Sequence, residues 1–125
     1  MDVTPLVRQS QKIIQSYAGG VFRISGQVFE GGVFVLPEEV LPWPEGQAIE
    51  TLTPQCFQVL ADRANEFDVV LLGTGAQSQL LMASARQELR SMGLMVEAMD
   101  TGAACRTFNV LTAEARRVAA ALLPC

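Results

Sequence analysis

The chain has 125 residues, half of them hydrophobic and 18% charged, with a formal net charge of −4 and no histidine. That length suits one domain able to bury roughly two-thirds of its unfolded-state surface, and the composition argues against disorder. The acidic balance argues against a nucleic-acid binder, whose footprint is basic. Without histidine there is no Ser-His or Cys-His nucleophile pair and no histidine-ligated metal.

Residues 1–18 are mostly polar and read as a loosely ordered arm, with Ile13, Ile14 and Tyr17 as its docking candidates. Residues 19–125 read as a single domain. It opens on three short β-rich runs, Val21-Phe22-Arg23-Ile24, Gln27-Val28-Phe29 and Val33-Phe34-Val35-Leu36. Ser25-Gly26 and Glu30-Gly31-Gly32 separate them with tight-turn chemistry, which predicts a small antiparallel meander. The stretch from Pro37 to Gln47, with Pro42 and Pro44, reads as an ordered loop anchored by Trp43.

The second half alternates in α/β fashion. Thr53-Pro54 is a helix start, threonine to cap and proline at the first helical position, and Phe57, Leu60, Ala61 and Ala64 then share a face. Phe67 to Leu72 is nearly continuous apolar, as a central parallel strand is. Leu80 to Met92 reads as a helix with Leu89 and Met92 inward, closed by Gly93, and Leu94 to Met99 as the next strand. Ala104, Phe108, Leu111, Ala115, Val118 and Leu122 recur at alternating steps of four and three, which predicts one long amphipathic final helix. Met82, Met92, Met95 and Met99 read as core filler.

Two strands joined by a helical crossover in one sheet run parallel. The Gly73-Thr74-Gly75 loop is therefore expected beside the Asp100-Thr101 turn, forming a crevice at the sheet edge where α/β folds bind ligands. Free amides and the positive helix end favour an anion or carbonyl oxygen there. The candidate crevice residues are Gly73, Thr74, Gly75, Asp100, Thr101, Cys105, Arg106, Thr107 and Asn109.

Each has a plainer role. Gly73-Thr74-Gly75-Ala76-Gln77-Ser78 lacks the third glycine of a dinucleotide fingerprint, so its glycines are better read as turn residues. Cys105 in the first helical turn fits a nucleophile or redox sensor, but with no histidine as base a packed thiol is favoured. Asp100 suits a general base less well than a helix cap. Arg106 fits an anion or a fork onto Asp100 or Glu97 equally well. Asn109 is placed to bond a loop carbonyl.

Eight acids stand between Glu30 and Asp68 against the single base Arg63, whereas five arginines stand from Arg86 onward against four acids. The three cysteines are widely spaced, neither a disulfide framework nor a metal-ligand pattern, and suit a reducing compartment. The segment Met1-Asp2-Val3-Thr4-Pro5-Leu6 lacks a secretory pattern, and no run approaches the roughly 20 apolar residues of a membrane span. A cytoplasmic protein is the expectation.

Several segments together resemble one small family. They are Phe22-Arg23-Ile24, Gly31-Gly32-Val33, Trp43, Gly73-Thr74-Gly75, Val96 to Thr101, Ala103 to Leu111 and Glu114 to Leu122, in that order. The family is the Mth938-like one, which includes mitochondrial respiratory complex I assembly factor three and the adipogenesis-associated Mth938-like proteins. The resemblance covers roughly residues 13 to 123. It implies a three-layer α/β domain with a mixed central sheet, and no catalytic residues, metal or cofactor to carry over. It implies protein partners, subunits of membrane-associated complexes among them, and leaves oligomeric state open. Two positions depart from the family pattern. Leu80-Leu81-Met82-Ala83 stands where prolines are usual and makes that crevice wall stickier, and Ala115 stands where glycine is common, a change a helix interior tolerates. A non-catalytic assembly or adaptor protein is the leading expectation. The second is a small-molecule or anion-binding module using the crevice, and a Cys105 enzyme comes well behind.

Overall fold

The computed structural model describes residues 11–43, 48–49 and 52–125. Two sheets are present among them. The smaller is an antiparallel meander of β1 (Ile14–Ala18), β2 (Val21–Ile24) and β3 (Gln27–Glu30), in that spatial order. Both hairpins turn on two residues with positive φ, Gly19-Gly20 and Ser25-Gly26, the geometry that matches strand twist.

The meander is displaced by one strand from the sequence expectation. Residues 14–18, assigned to a loose arm, form β1; residues 1–10 of that arm lie outside the described residues. The reason is local. Asn109 accepts from the Ile14 amide at 2.9 Å and donates to the Ile14 carbonyl at 2.8 Å, so one side chain secures both polar groups of a short, largely polar strand. The run at Val33 instead leaves the meander as β4 (Val33–Val35) and enters the larger sheet.

That sheet has the order β5-β4-β8-β6-β7, with β5 (Val40–Pro42), β6 (Val69–Gly73), β7 (Val96–Met99) and β8 (Val118–Leu122). β5 lies inside the expected Pro37–Gln47 loop, whose last residues, Pro44 to Gln47, fall outside the described residues. β6 pairs in parallel with both β7 and β8, while β4 pairs antiparallel with β8, so the sheet is mixed. Its edges carry Pro42, which has no amide to donate, and the exposed Glu97, both deterrents to edge pairing.

The last strand is the largest correction. Helix α3 (Thr101–Ala113) ends at Glu114, and Val118 to Leu122 form a fully buried central strand. Two alternating faces of a strand that is buried on both sides look the same as a continuation of the helical repeat, because every position is apolar. The chain leaves α3 through a left-handed residue, with the Ala115 amide bonding the Thr112 carbonyl at 3.0 Å and the Arg116 amide bonding that of Leu111 at 3.0 Å. Helix α2 (Ala83–Ser91) closes with the same paired bonds, Gly93 to Arg90 and Leu94 to Leu89, and Gly93 closes it as expected.

Two cores flank the sheet. One side packs Phe34, Leu72, Val96 and Ala121 under Leu60, Phe57 and Leu89 of the first helical segment (a 3₁₀ turn over Pro54–Phe57, then α1, Gln58–Ala61) and of α2. Thr53 precedes that turn without capping it. Trp43 is buried there, stacked on Phe34 with centroids 4.6 Å apart and edge-on to Phe57 at 5.8 Å, the anchor the sequence suggested. The other side packs Leu71, Val35 and Ala120 under Ala104, Cys105 and Phe108 of α3, with Phe22 and Ile24 of the meander. Met82 and Met95, expected in the core, are exposed instead.

Ala115 has a φ of 62°. A side chain in that left-handed conformation costs roughly 1–2 kcal/mol, and glycine avoids it. We expect Ala115→Gly to raise unfolding stability by about 1 kcal/mol, read from urea denaturation with an unchanged m-value.

Candidate functional site

The parallel strands β6, β7 and β8 end together, and the expected neighbours meet there. The Thr101 amide donates to the Gly75 carbonyl at 2.8 Å, the Thr74 amide to that of Met99 at 2.8 Å, and the Leu123 amide to that of Gly73 at 3.0 Å. Thr101 is completely buried at the centre of the junction. Its hydroxyl accepts from the Gly75 amide at 2.9 Å and donates to the Leu123 carbonyl at 2.7 Å, joining the ends of β6 and β8 to the start of α3. Gly73 is required for that closeness, because a Cβ would stand 2.8 Å from the Thr101 hydroxyl and 3.0 Å from its Cα.

Thr74 serves the same junction. Its buried hydroxyl lies 2.6 Å from the Gln77 carbonyl and 3.1 Å from that of Met99, and accepts from the Gln79 amide at 3.2 Å. Gly75 takes a φ of 105°, a turn position suited to glycine. Its amide, expected to be open to a ligand, is bonded to Thr101.

Asp100 caps α3, its Oδ1 accepting from the Ala103 amide at 2.8 Å. The carboxylate itself supplies the negative charge that a helix N-terminus favours, which weakens the field left for an external anion. Cys105 lies one turn on, buried against the sheet. Burial pushes its thiol up to about 12; Cys125 and Asp100 add to the rise and Arg106 opposes it. Nucleophilicity requires the thiolate, so this thiol is held in its unreactive form at neutral pH.

Arg106 forks onto neither Asp100 nor Glu97. Its Nη1 donates to the Tyr17 hydroxyl at 2.7 Å, and Tyr17 lies across Gly102, where a Cβ would stand 3.0 Å from that same hydroxyl oxygen. Asn109 bonds the β1 backbone at Ile14 rather than a loop. Thr107 is half-buried on α3. All nine candidates therefore belong to one end of the sheet and α3, but Thr74, Gly75, Asp100, Thr101 and Asn109 spend polar groups on the fold itself.

Sequence reasoning missed Tyr17 and the 123–125 segment as members of this end. Gly19-Gly20, a hairpin signal following Tyr17, marks the former. It also missed a cleft of about 800 Å³ at the opposite end, lined by Glu38, Arg63, Glu66, Ala115, Arg116 and Arg117. Four separate segments build it, the fourth contributing Gln11, so no local motif announces it. Arg63 donates to both Glu66 oxygens, at 2.8 and 3.1 Å, and pairs with Glu39. Arg117 donates to Asp68 at 2.8 and 3.3 Å. Those hydrogen bonds hold the Glu66 and Asp68 carboxyls below their usual range.

The chain matches the family described as protein of unknown function (DUF498/DUF598) over residues 14–123. It is 39% identical over 116 residues to NADH dehydrogenase [ubiquinone] 1 alpha subcomplex assembly factor 3 of Danio rerio, covering 90% of this chain and 64% of that protein. The chain thus spans less than two-thirds of that relative's length. An uncharacterised protein of Rhodobacter capsulatus is 39% identical over 111 residues, covering 89% of this chain and 83% of the relative. Among solved structures, a Bordetella pertussis protein described as a Mth938-like domain superposes with a TM-score of 0.80 at 31% identity, covering 99% of this chain and 92% of that one.

Two outcomes follow from the junction. Thr101→Val keeps the shape but leaves the Gly75 amide and Leu123 carbonyl without their buried partner, so we expect a loss of about 2–4 kcal/mol in urea unfolding, with Thr101→Ser losing less. For Cys105, the raised folded-state pKa contributes stability that is fully present below the ordinary thiol value of 9.0 and declines as pH climbs from there towards about 12. At neutral pH we expect iodoacetamide to label native Cys105 at least tenfold more slowly than free cysteine, with the difference lost on unfolding; mass spectrometry reads both rates.

Proposed function

The chain belongs to the family described as protein of unknown function (DUF498/DUF598), and from that membership we propose that it is a non-catalytic assembly or adaptor protein acting through protein partners. One observation carries the reading: 39% identity over 90% of this chain to a protein named as an assembly factor of NADH dehydrogenase. Subunits of membrane-associated complexes are the partner class that name suggests. The wide spacing of its three cysteines suits a reducing compartment, and we place the protein in the cytoplasm.

The chemistry of the sheet end supports this reading over an enzymatic one. Asp100 caps a helix, and the Cys105 thiol stays protonated at neutral pH, so the two groups best placed for catalysis are engaged structurally. The second reading, an anion-binding crevice between Gly73-Thr74-Gly75 and Asp100-Arg106, draws its support from Arg106, whose exposed guanidinium has a neutral partner in Tyr17. Among the described residues that pairing leaves its positive charge without an ion-pair partner.

A tagged copy recovered quantitatively from its own host, from soluble and membrane fractions, tests the first reading. We expect a reproducible near-stoichiometric partner by mass spectrometry; a blank in both fractions counts against it. The crevice reading expects an anionic metabolite to raise the melting temperature of the wild type and to leave that of Arg106→Ala unmoved.

A further inference from the structure

Leu80 is 95% exposed and Met82 74%, the two most exposed large apolar side chains among the described residues. Leu81, between them, packs partly buried against the core, so the protruding pair flanks a fixed point. Helix α2 follows directly and buries only Leu89 of its nine residues. A helix so short owes its stability to packing, yet most of this one faces outward.

Charge completes the pattern. Arg86 and Arg90 lie one and two turns beyond Met82 on the same i, i+4 ridge, where side chains are neighbours. Both are exposed, and neither belongs to an ion pair among the described residues. Glu88 lies nearly half a turn away from both. Of the elements packed against α2, the Pro54–Phe57 turn has no acid, and β7 has Glu97. Glu97 pairs across the sheet with Leu71, which belongs to the core on the α3 side, whereas Val96 belongs to the core beneath α2. Among the described residues the α2 face is therefore locally basic, in a chain of net charge −4.

We propose that Leu80, Met82, Arg86 and Arg90 form a docking surface for an anionic lipid bilayer. Leu80 and Met82 enter the boundary between headgroups and acyl chains, while the arginines lie along the lipid phosphates. Guanidinium suits phosphate through its planar fork of donors, and its apolar stem lets the charge stay at the surface. Shape favours lipid over a protein receptor. A stable protein interface buries about 800 Å² per partner, more than two protruding side chains supply, whereas a bilayer accepts a small apolar tip of any outline. An apolar insertion combined with basic charge is the pairing that holds peripheral proteins reversibly. This surface is separate from the adaptor reading, since a protein partner is neither required nor excluded by it.

The test uses the whole chain with extruded vesicles of 30% phosphatidylglycerol in phosphatidylcholine, and with pure phosphatidylcholine vesicles as reference. Co-sedimentation reads partitioning, and emission of Leu80→Trp reads insertion, with Trp43 as a constant buried background. We expect binding to the anionic vesicles that weakens with salt, together with a blue shift of the new tryptophan. Leu80→Ser/Met82→Ser should lower partitioning at least tenfold, and Arg86→Gln/Arg90→Gln about 25-fold, near fivefold per arginine. Val28→Ser, an exposed apolar site on the other sheet, should leave it unchanged. All substituted side chains are exposed, and circular dichroism confirms that each variant is folded. The proposal is overturned by no binding to the anionic vesicles, by equal binding of the Ser/Ser variant and the wild type, or by binding that occurs only when host membrane proteins are present.

Discussion

The strand Val118–Leu122 is the constraint on which the rest of the molecule depends. Its five residues are all buried, it pairs with β4 on one side and β6 on the other, and its centre is three consecutive alanines. Small side chains there let the helical layers on both faces approach the sheet closely, so Phe108 and Phe57 can lie over opposite sides of it. Close packing of this kind leaves little tolerance for added volume. It also explains the Gly73–Thr101 contact, because the first turn of α3 is drawn down onto the strand ends.

Much of this was legible in the residues. The apolar runs around Leu71 and Val96 and the caps at Asp100 and Gly93 lead to a parallel pair with its loops side by side, and that is what the hydrogen bonds display. The two main failures have separate physical origins. An alanine-rich strand buried on both faces has no period of its own, so it continued the helical repeat of α3 without a break. The residue that should have marked the break is Ala115, because glycine at a left-handed position announces a helix end and alanine hides it. β1 was obscured differently: only Ile14 of its five residues is buried, and the side chain that holds it, Asn109, lies 95 residues away.

The candidate site was legible in position but not in use. Proximity of Gly73, Thr74, Asp100 and Thr101 follows from topology, whereas hydrogen-bond bookkeeping does not. A threonine hydroxyl and a glycine amide at a sheet edge look available in a sequence; here each completes the other. Most buried polar groups are satisfied internally in folded proteins, and this junction follows that rule. What the fold leaves unspent lies on its outside, in the Leu80 loop, on α2 and in the charge of Arg106.

The central position of β8 bears also on biosynthesis. Its hydrogen-bonding partners, β4 and β6, end at residues 35 and 73, and among the described residues no other strand lies between them. A nascent chain emerging from the ribosome can form the β2–β3 hairpin and the β6–β7 crossover early, yet both halves of the large sheet keep an open, apolar edge until residue 122 has cleared the exit tunnel. Pairings so distant in sequence form slowly, and an unpaired edge of this sort attracts other chains. The large sheet is thus closed only once β8, the latest-made of its five strands, is in place.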